Sequence, residues 1–239
     1  MRLDLLSLRT ARGATIAALD YEPRRPRSVA LAVGHGYSSS KQNLDFLCAF
    51  LASHGYHVVS VDFPGHKLGA SGGRLARAGD LTDALAAAVA FARERYACPV
   101  YALGHSMGAT TALRACAADP AVAGAVSIAT GYGRPTALAA LEARGVVDLR
   151  SAYVDGLTLQ EVVAATDPLL DDALALLAGR PVLYVAAERD GMVSRASARE
   201  LFDRAPEPKT FVTIDSDHTT AGDNARAAVL GWLNERHAR

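Results

Sequence analysis

Short apolar runs separated by longer stretches of helical periodicity dominate the chain. The first two runs, residues 3–8 and 14–19, flank Gly13 and predict an N-terminal hairpin. The later runs are continuous rather than alternating, which is typical of strands that helices cover on both faces. These later runs comprise residues 29–33, 57–61, 100–103, 122–129, 182–186 and 210–214.

Helices are predicted in the intervals between these strands. Their apolar positions recur at the spacing of one helix face, and polar or turn-forming residues mark their ends. The predicted helices comprise residues 43–53, 80–96, the stretch after Ser106, 194–205 and 223–236. Regular alternation of strand and helix predicts an α/β protein whose mostly parallel, eight-stranded sheet is flanked by helices. We expect one domain that spans residues 1–239.

The alternation is interrupted between residues 131 and 179. Three helical patches, at residues 136–144, 159–165 and 168–178, follow one another there without an intervening strand. The segment is too rich in helical patterns for a linker and too short for a separate domain. We therefore predict that residues 131–179 form a helical cap inserted into the single domain.

The strongest local motif is Gly104-His105-Ser106-Met107-Gly108, which stands between a strand pattern and a small-residue helix pattern. Such a sequence predicts a sharp strand-to-helix turn that strains the serine backbone and exposes its Oγ. Glycine is needed at positions 104 and 108 because a Cβ there would collide with the tight turn or with a neighbouring strand. Ser106 is therefore a candidate nucleophile.

The loops that follow the parallel strands should meet at one edge of the sheet, where such folds bind their ligands. Two of these loops carry Asp190 and His218, in this order after Ser106. Histidine suits a general base because its pKa lies near neutral pH, and a carboxylate can orient the imidazole through its Nδ1–H. We therefore predict that His218 is the base and that Asp190 is its partner.

Other residues compete for these two roles. His66 lies in a loop and is the main rival of His218. Glu188 follows the same predicted strand as Asp190 and is one alternative carboxylate. Asp215 and Asp217 are two more, although they lie very close to His218 along the chain. The sequence alone leaves these alternatives open.

An oxyanion hole requires two backbone N–H groups directed at the developing negative charge. Met107 follows the nucleophile at the start of a helix, whose dipole favours an anion, and is the first predicted donor. Tyr37, in the loop after residues 29–33, is the second predicted donor. Three apolar side chains are predicted to line the substrate pocket: Phe63, Tyr132 and Met192.

Charge and cysteine content narrow the range of partners. The formal net charge is zero and the basic cluster Arg24-Arg25-Pro26-Arg27 is short, so neither nucleic acid nor an anionic membrane is an expected partner. Three cysteines are scattered without metal-ligand spacing. The sequence contains no signal peptide or membrane-spanning pattern, so a cytoplasmic location is expected. No metal or organic cofactor is expected, and a homodimer is left open.

Together these motifs resemble the α/β-hydrolase-fold serine hydrolases along nearly the whole chain. The resemblance rests on the Ser106 motif, Asp190 and His218, and on His35-Gly36-Tyr37 and Asp62-Phe63-Pro64-Gly65-His66 with Ser71. Residues 35–41 are similar to the oxyanion loop of small bacterial esterases, including feruloyl or cinnamoyl esterases and monoacylglycerol-lipase-like enzymes. The chain departs from the usual pattern after His66, where Lys67-Leu68 interrupts the common Gly-His-Gly, and the cap resembles no known family.

The resemblance implies hydrolysis of a small-molecule carboxylic ester, with a small to medium acyl or aryl group, through an acyl-enzyme on Ser106. An amide- or thioester-cleaving enzyme of the same fold is the alternative. An aminopeptidase would need acidic cap residues to hold the substrate ammonium, and seven are available: Glu142, Asp148, Asp155, Glu161, Asp167, Asp171 and Asp172. A binding protein without catalytic activity is a third interpretation, disfavoured because every motif residue is present.

Overall fold

A computed structural model describes residues 1–143 and 151–238. Its strands are β1 Arg2–Arg9, β2 Thr15–Glu22, β3 Ala30–Gly34, β4 His57–Val61, β5 Val100–His105, β6 Val122–Ile128, β7 Val182–Ala187 and β8 Lys209–Ile214. They form one eight-stranded sheet in the order β1-β2-β4-β3-β5-β6-β7-β8. Strand β2 pairs antiparallel with β1 and β4, and the other neighbours are parallel. The predicted fold class is confirmed.

Helices occupy the connections between most of these strands. They are α1 Asp45–Ser53, α2 Gly79–Tyr96, α3 Met107–Ala118, α4 Arg134–Glu142, α5 Leu159–Thr166, α6 Leu170–Ala175, α7 Arg195–Arg204, α8 Ala221–Asn224 and α9 Arg226–Arg236. Short 3₁₀ turns precede α1 and α6, at Lys41–Leu44 and Asp167–Leu169. The last predicted helix is therefore two helices, α8 and α9.

Helices α4, α5 and α6 lie between β6 and β7, in the segment for which the sequence predicts a cap. Helix α4 begins two residues before the predicted start, and position 144, the predicted end of that helix, is outside the described residues. Thr158 begins α5 with a capping box, because its hydroxyl accepts from the Glu161 amide while the Glu161 carboxylate accepts from the Thr158 amide. The boundaries of the cap stay a prediction.

Both faces of the sheet are covered, which explains the continuous apolar runs. Along β3, Ala30 and Ala32 belong to one buried layer, and Leu31 and Val33 belong to the other. The first layer includes apolar side chains of α2, α3 and α7, and the second includes those of α1 and α9. A strand packed in this way has no solvent face on which polar residues would be favoured.

Strand β2 continues to Glu22, beyond the end predicted at residue 19. Polar residues of this extension are paired in the interior. The Tyr96 hydroxyl donates to Asp20 at 2.6–2.7 Å, and the Tyr21 hydroxyl donates to Asp45 at 2.7 Å. Hydrogen bonds from distant elements therefore allow a polar sequence to continue a buried strand.

Within the described part of the chain, no helix combines the length and the apolar character needed to cross a membrane. The same residues contain no group of three or more histidine, cysteine, aspartate or glutamate side chains placed to hold a metal ion.

Candidate active site

Ser106 is the single residue between β5 and α3, and its backbone φ is 55°. This left-handed conformation is unfavourable for a residue with a side chain and is typical of a nucleophile elbow. A Cβ on Gly104 would lie 2.0 Å from the carbonyl oxygen of Gly108, and one on Gly108 would lie 2.2 Å from that of Gly34. The two glycines therefore allow α3 to pass directly against β5 and β3.

A chain of hydrogen bonds connects Ser106 to His218 and Asp190. His218 Nε2 lies 3.0 Å from Ser106 Oγ, and His218 Nδ1 lies 2.9 and 3.0 Å from the two carboxylate oxygens of Asp190. Asp190 can only accept when ionised, so Nδ1 carries the proton and the Nε2 lone pair faces the serine hydroxyl. The Asp190 side chain is 2% exposed, and its Oδ1 also accepts the amides of Met192 and Val193 at 2.8 Å.

The rival residues have other partners. The His66 ring is buried beside His35, and its Nδ1–H donates to the Pro64 carbonyl at 3.1 Å. Asp215 is exposed and forms an ion pair with Arg189. Asp217 accepts the amide and hydroxyl of Thr220, and Glu188 is exposed. Among these candidates, the structure places His218 and Asp190 in line with the serine.

His105, which the sequence motif places next to Ser106, supports His218 from the sheet side. Its Nε2–H donates to the His218 carbonyl oxygen at 2.7 Å, and the two ring centroids are 5.2 Å apart. The contact joins the end of β5 to the loop after β8. It therefore fixes the backbone that carries the histidine relative to the backbone that carries the serine.

The loop after β3 passes beside the nucleophile. A Cβ on Gly36 would be 3.4 Å from the Ser106 Cβ, and Tyr37 follows directly. His35 holds this loop, since its Nδ1–H donates to the Gly36 carbonyl at 2.8 Å and its Nε2 accepts the Phe63 amide at 3.0 Å. Burial, and then the neighbouring His66, lowers the pKa of His35 to about 3, so the ring is neutral and keeps both bonds.

A buried ion pair fixes the far end of the same loop. The Lys41 side chain, 1% exposed, pairs with fully buried Asp62, which also accepts the amides of Lys41 at 2.8 Å and Ala70 at 2.7 Å. Burial alone would raise the pKa of Asp62, but the hydrogen bonds from Lys41 and Ala70 outweigh it and lower that pKa. Ser71 donates to the Asp62 carbonyl at 2.7 Å. Asp62 therefore holds the end of this loop in place through its bonds to Lys41.

Two cavities meet at Ser106 and His218. The inner cavity has a volume of about 50 Å³, and its apolar lining consists of Met107, Leu138, Leu159, Val162, Val163, Met192 and Val193. Arg134 also lies in its wall. The outer groove has a volume of about 530 Å³, and its lining includes Gly36, Tyr37 and Tyr153. The serine hydroxyl therefore stands where a small cavity and a larger one meet.

Residues 25–168 match the sequence profile described as serine aminopeptidase S33, and this match covers more than half of the chain. The chain belongs to the serine aminopeptidase S33 family. No match was found among curated protein sequences. The resemblance to α/β-hydrolase-fold serine hydrolases is thus confirmed, and the chain is an α/β hydrolase.

Solved structures of similar fold include three esterases. The esterase domain of a Rhodothermus marinus protein aligns with a TM-score of 0.72 at 22% identity, covering 98% of this chain and 99% of its own. A Pyrococcus furiosus esterase aligns with a TM-score of 0.80 at 18% identity, and the alignment covers 99% of this chain and 92% of the esterase. A cold-adapted esterase from an Arctic intertidal metagenomic library aligns with a TM-score of 0.71 at 19% identity, and the alignment covers 98% of this chain and 94% of the esterase. Identities this low establish the fold alone.

In this S33 family member, only one of the three predicted pocket residues lies in a cavity wall. Met192 lines both cavities. Phe63 is fully buried beneath the site and packs on His35 at a centroid distance of 4.8 Å. Tyr132 donates to Asp171 at 2.7 Å and lies under the Arg204 guanidinium, 3.8 Å from its ring centroid. Neither Phe63 nor Tyr132 lines one of these two cavities, because Phe63 packs in the interior and Tyr132 contacts Asp171 and Arg204.

Sequence reasoning missed most of the inner cavity. Residues 159–165 are predicted to be helical, but nothing in the sequence indicates that Leu159, Val162 and Val163 of this helix line a cavity at Ser106. Arg134 carried no signal, since an arginine beside a proline reads as an ordinary surface residue. In the structure Arg134 begins α4, is buried and lies in the cavity wall.

Proposed function

We propose that this α/β hydrolase is a serine esterase, with Ser106 as nucleophile, His218 as general base and Asp190 as the group that orients His218. The observation that carries the proposal is the unbroken hydrogen-bond chain of 2.9–3.0 Å from Asp190 through His218 to Ser106 Oγ. It stands at a strained elbow that opens into two cavities. This arrangement suits removal of the serine proton at the moment of attack.

In the proposed reaction, Ser106 Oγ attacks the ester carbonyl carbon while His218 Nε2 takes the hydroxyl proton. The amides of Met107 and Tyr37 stabilise the negative charge on the carbonyl oxygen, and ionised Asp190 stabilises the imidazolium. His218 then returns the proton to the alkoxide as the carbon–oxygen bond breaks, leaving an acyl-enzyme. A water molecule activated by His218 repeats the sequence and releases the acid.

The cavity walls favour an ester over the amino-terminal peptide substrate that the family description suggests. An aminopeptidase must hold a substrate ammonium group, and a carboxylate in the wall would supply that contact. Neither cavity is lined by Asp or Glu among the described residues, and the inner one contains Arg134. Asp148, one of the acidic residues predicted for this purpose, lies outside the described residues.

The other cap carboxylates have different partners or positions. Glu161 caps α5, Asp167 pairs with Arg134, and Asp171 accepts from Tyr132. Asp155, Asp172 and Glu142 are exposed. None of these six side chains is in either cavity wall.

The two cavity volumes predict unequal arms on the substrate. A cavity of roughly 150 Å³ accommodates a benzene molecule, so the inner cavity of about 50 Å³ admits only a short group. The outer groove of about 530 Å³ is large enough for a medium acyl or aryl group. We therefore expect esters with one short arm to be the best substrates.

The proposal is tested by initial rates on p-nitrophenyl esters from acetate to palmitate, with alanine p-nitroanilide as the amide comparator. Ser106→Ala should reduce kcat about 10⁴-fold or more, as removal of a triad serine does. Ser53→Ala is the matched control, because that hydroxyl is exposed and its described partners, Phe50 and His54, are neighbours at the end of the same helix. Faster turnover of the anilide than of every ester would instead favour the aminopeptidase alternative.

A further inference from the structure

Arg134 is the first residue of α4 and lies in the wall of the inner cavity with Ser106 and His218. The residue is 8% exposed. Its Nε donates to Asp167 at 2.7 Å, one Nη donates to the Thr110 hydroxyl at 2.8 Å, and the other donates to the Thr166 hydroxyl at 3.1 Å. A cation is thus held firmly in a cavity whose other lining is mostly apolar.

The described hydrogen bonds do not use all the donors of this guanidinium. An arginine has five N–H groups, and the three bonds engage one N–H on each nitrogen. Two N–H groups therefore have no partner among residues 1–143 and 151–238. A ligand with acceptor atoms in the cavity could accept hydrogen bonds from these two N–H groups.

The charge around Arg134 is also unbalanced. Asp167 is the one carboxylate paired with Arg134 in the described chain, and Arg114 lies one helical turn beyond Thr110 on α3. One Nη of Arg114 is buried without a hydrogen-bond partner. Burial, and then the charge of Arg134, lowers the pKa of Arg114, which places the two cations within electrostatic range. Of these two cations, only Arg134 is paired with a carboxylate within residues 1–143 and 151–238.

We propose that the inner cavity is a carboxylate-recognition subsite, in which Arg134 binds an anionic group at the end of the short arm of the substrate. This inference rests on the proposed esterase function and names its substrate class: esters whose short apolar linker ends in a carboxylate. Arg134 bonds to Thr110, which is one helical turn, or about 6 Å, from Ser106. Because Ser106 and Arg134 line the same cavity of about 50 Å³, a carboxylate two or three carbons from the scissile bond is the length of arm that we propose for it.

A purely structural role for Arg134 makes a different prediction. The same bonds join α4 to α3 through Thr110 and to the end of α5 through Thr166 and Asp167, so Arg134 also braces the cap. If bracing were its whole role, substitution would slow charged and neutral esters by the same factor. Recognition instead requires a larger loss for the charged ester than for its neutral partner.

The experiment compares two pairs of esters that are matched in shape and differ in charge. Monoethyl succinate and ethyl 4-methylpentanoate place the carboxylate, or the isopropyl group that replaces it, on the acyl arm. The compounds 3-acetoxypropanoate and 3-methylbutyl acetate do the same on the alcohol arm. Values of kcat/KM are measured for the wild type, Arg134→Met, Arg134→Lys and Arg114→Met. Arg204→Met is the control, because Arg204 lies on the outer face of Tyr132.

In one of the two ester pairs, Arg134→Met should lower kcat/KM for the charged ester about 10- to 100-fold more than for its neutral partner. This factor corresponds to the loss of one charge-assisted hydrogen bond. Arg134→Lys should recover part of this selectivity, and Arg204→Met should leave it unchanged. Arg114→Met, which is outside the cavity wall, should give a smaller loss of the same kind and serves if Arg134→Met fails to fold.

Equal losses on both members of each pair in Arg134→Met, or in Arg114→Met if Arg134→Met does not fold, would overturn the inference and leave the esterase proposal intact. A wild type that hydrolyses neither neutral ester, nor any p-nitrophenyl ester, would overturn the esterase proposal and the subsite with it. The neutral substrates therefore distinguish the two failures.

Discussion

Two regions of the molecule are built in different ways: the proposed catalytic edge of the sheet, which carries Ser106, Asp190 and His218, and the predicted cap, which contains α4, α5 and α6. At the catalytic edge, the main chain sets the geometry: Ser106 stands at φ 55°, two glycines make room for α3, and loop amides are held by buried side chains. In the cap, short helices are joined by side-chain pairs such as Arg134 with Asp167. The chemistry that we propose therefore rests on backbone geometry, whereas the substrate selectivity that we propose rests on a few polar contacts.

The largest expected effect is at the catalytic edge. Asp190→Asn should lower kcat on the best ester about 10⁴-fold, because an amide can stabilise the wrong imidazole tautomer. Asp215→Asn is the matched control, since Asp215 is exposed and paired with Arg189 on the surface. Steady-state rates of both variants show which of the two carboxylates orients His218. A larger loss in Asp215→Asn than in Asp190→Asn would reassign the orienting carboxylate.

A smaller effect is expected in the loop that carries Tyr37, where His35 should make the folding stability depend on pH. The pKa of His35 is lowered from about 6.5 in the unfolded chain to about 3 in the folded protein. Acid therefore protonates the unfolded state first, and stability present above pH 6.5 is lost as the pH falls toward 3. This histidine should contribute a loss of about 1.4 kcal/mol per pH unit in that range.

Urea unfolding of the wild type and of His35→Gln between pH 7 and pH 4.5 measures this contribution. The variant should be less stable at pH 7 and should lose less stability on acidification than the wild type. His54→Gln, at the end of α1, is the control for removal of a histidine. Parallel pH slopes for the wild type and His35→Gln would show that His35 does not titrate as the buried geometry requires.

The smallest effect is expected in the cap. Thr158→Ala removes the capping box of α5 and should destabilise the protein by about 1 kcal/mol, with little change in kcat on a short ester. Thr158→Ser keeps the hydroxyl and should retain most of the stability. Thermal unfolding and steady-state rates are measured together. A loss of activity as large as that of Asp190→Asn would contradict the proposed division of roles, in which the cap contributes to selectivity and stability but not to the chemical step.

The sequence predicted the catalytic edge because its signals are local and have a backbone cause. The continuous run of β3 indicated a strand covered on both faces, and the Gly104–Gly108 spacing indicated the elbow. The pocket was harder to predict, because cavity lining depends on how separate helices pack. Phe63 and Tyr132 are apolar enough for a pocket but pack elsewhere, and Arg134 gave no local sign that it faces inward.

The most direct test of the central claim is covalent labelling of the native protein with a fluorophosphonate, followed by peptide mapping by mass spectrometry. We expect one adduct, on the peptide that contains Ser106; it should be absent in Ser106→Ala and form far more slowly in Asp190→Asn. An adduct on a different serine, or no adduct on the folded wild type, would contradict the assignment of Ser106 as an activated nucleophile.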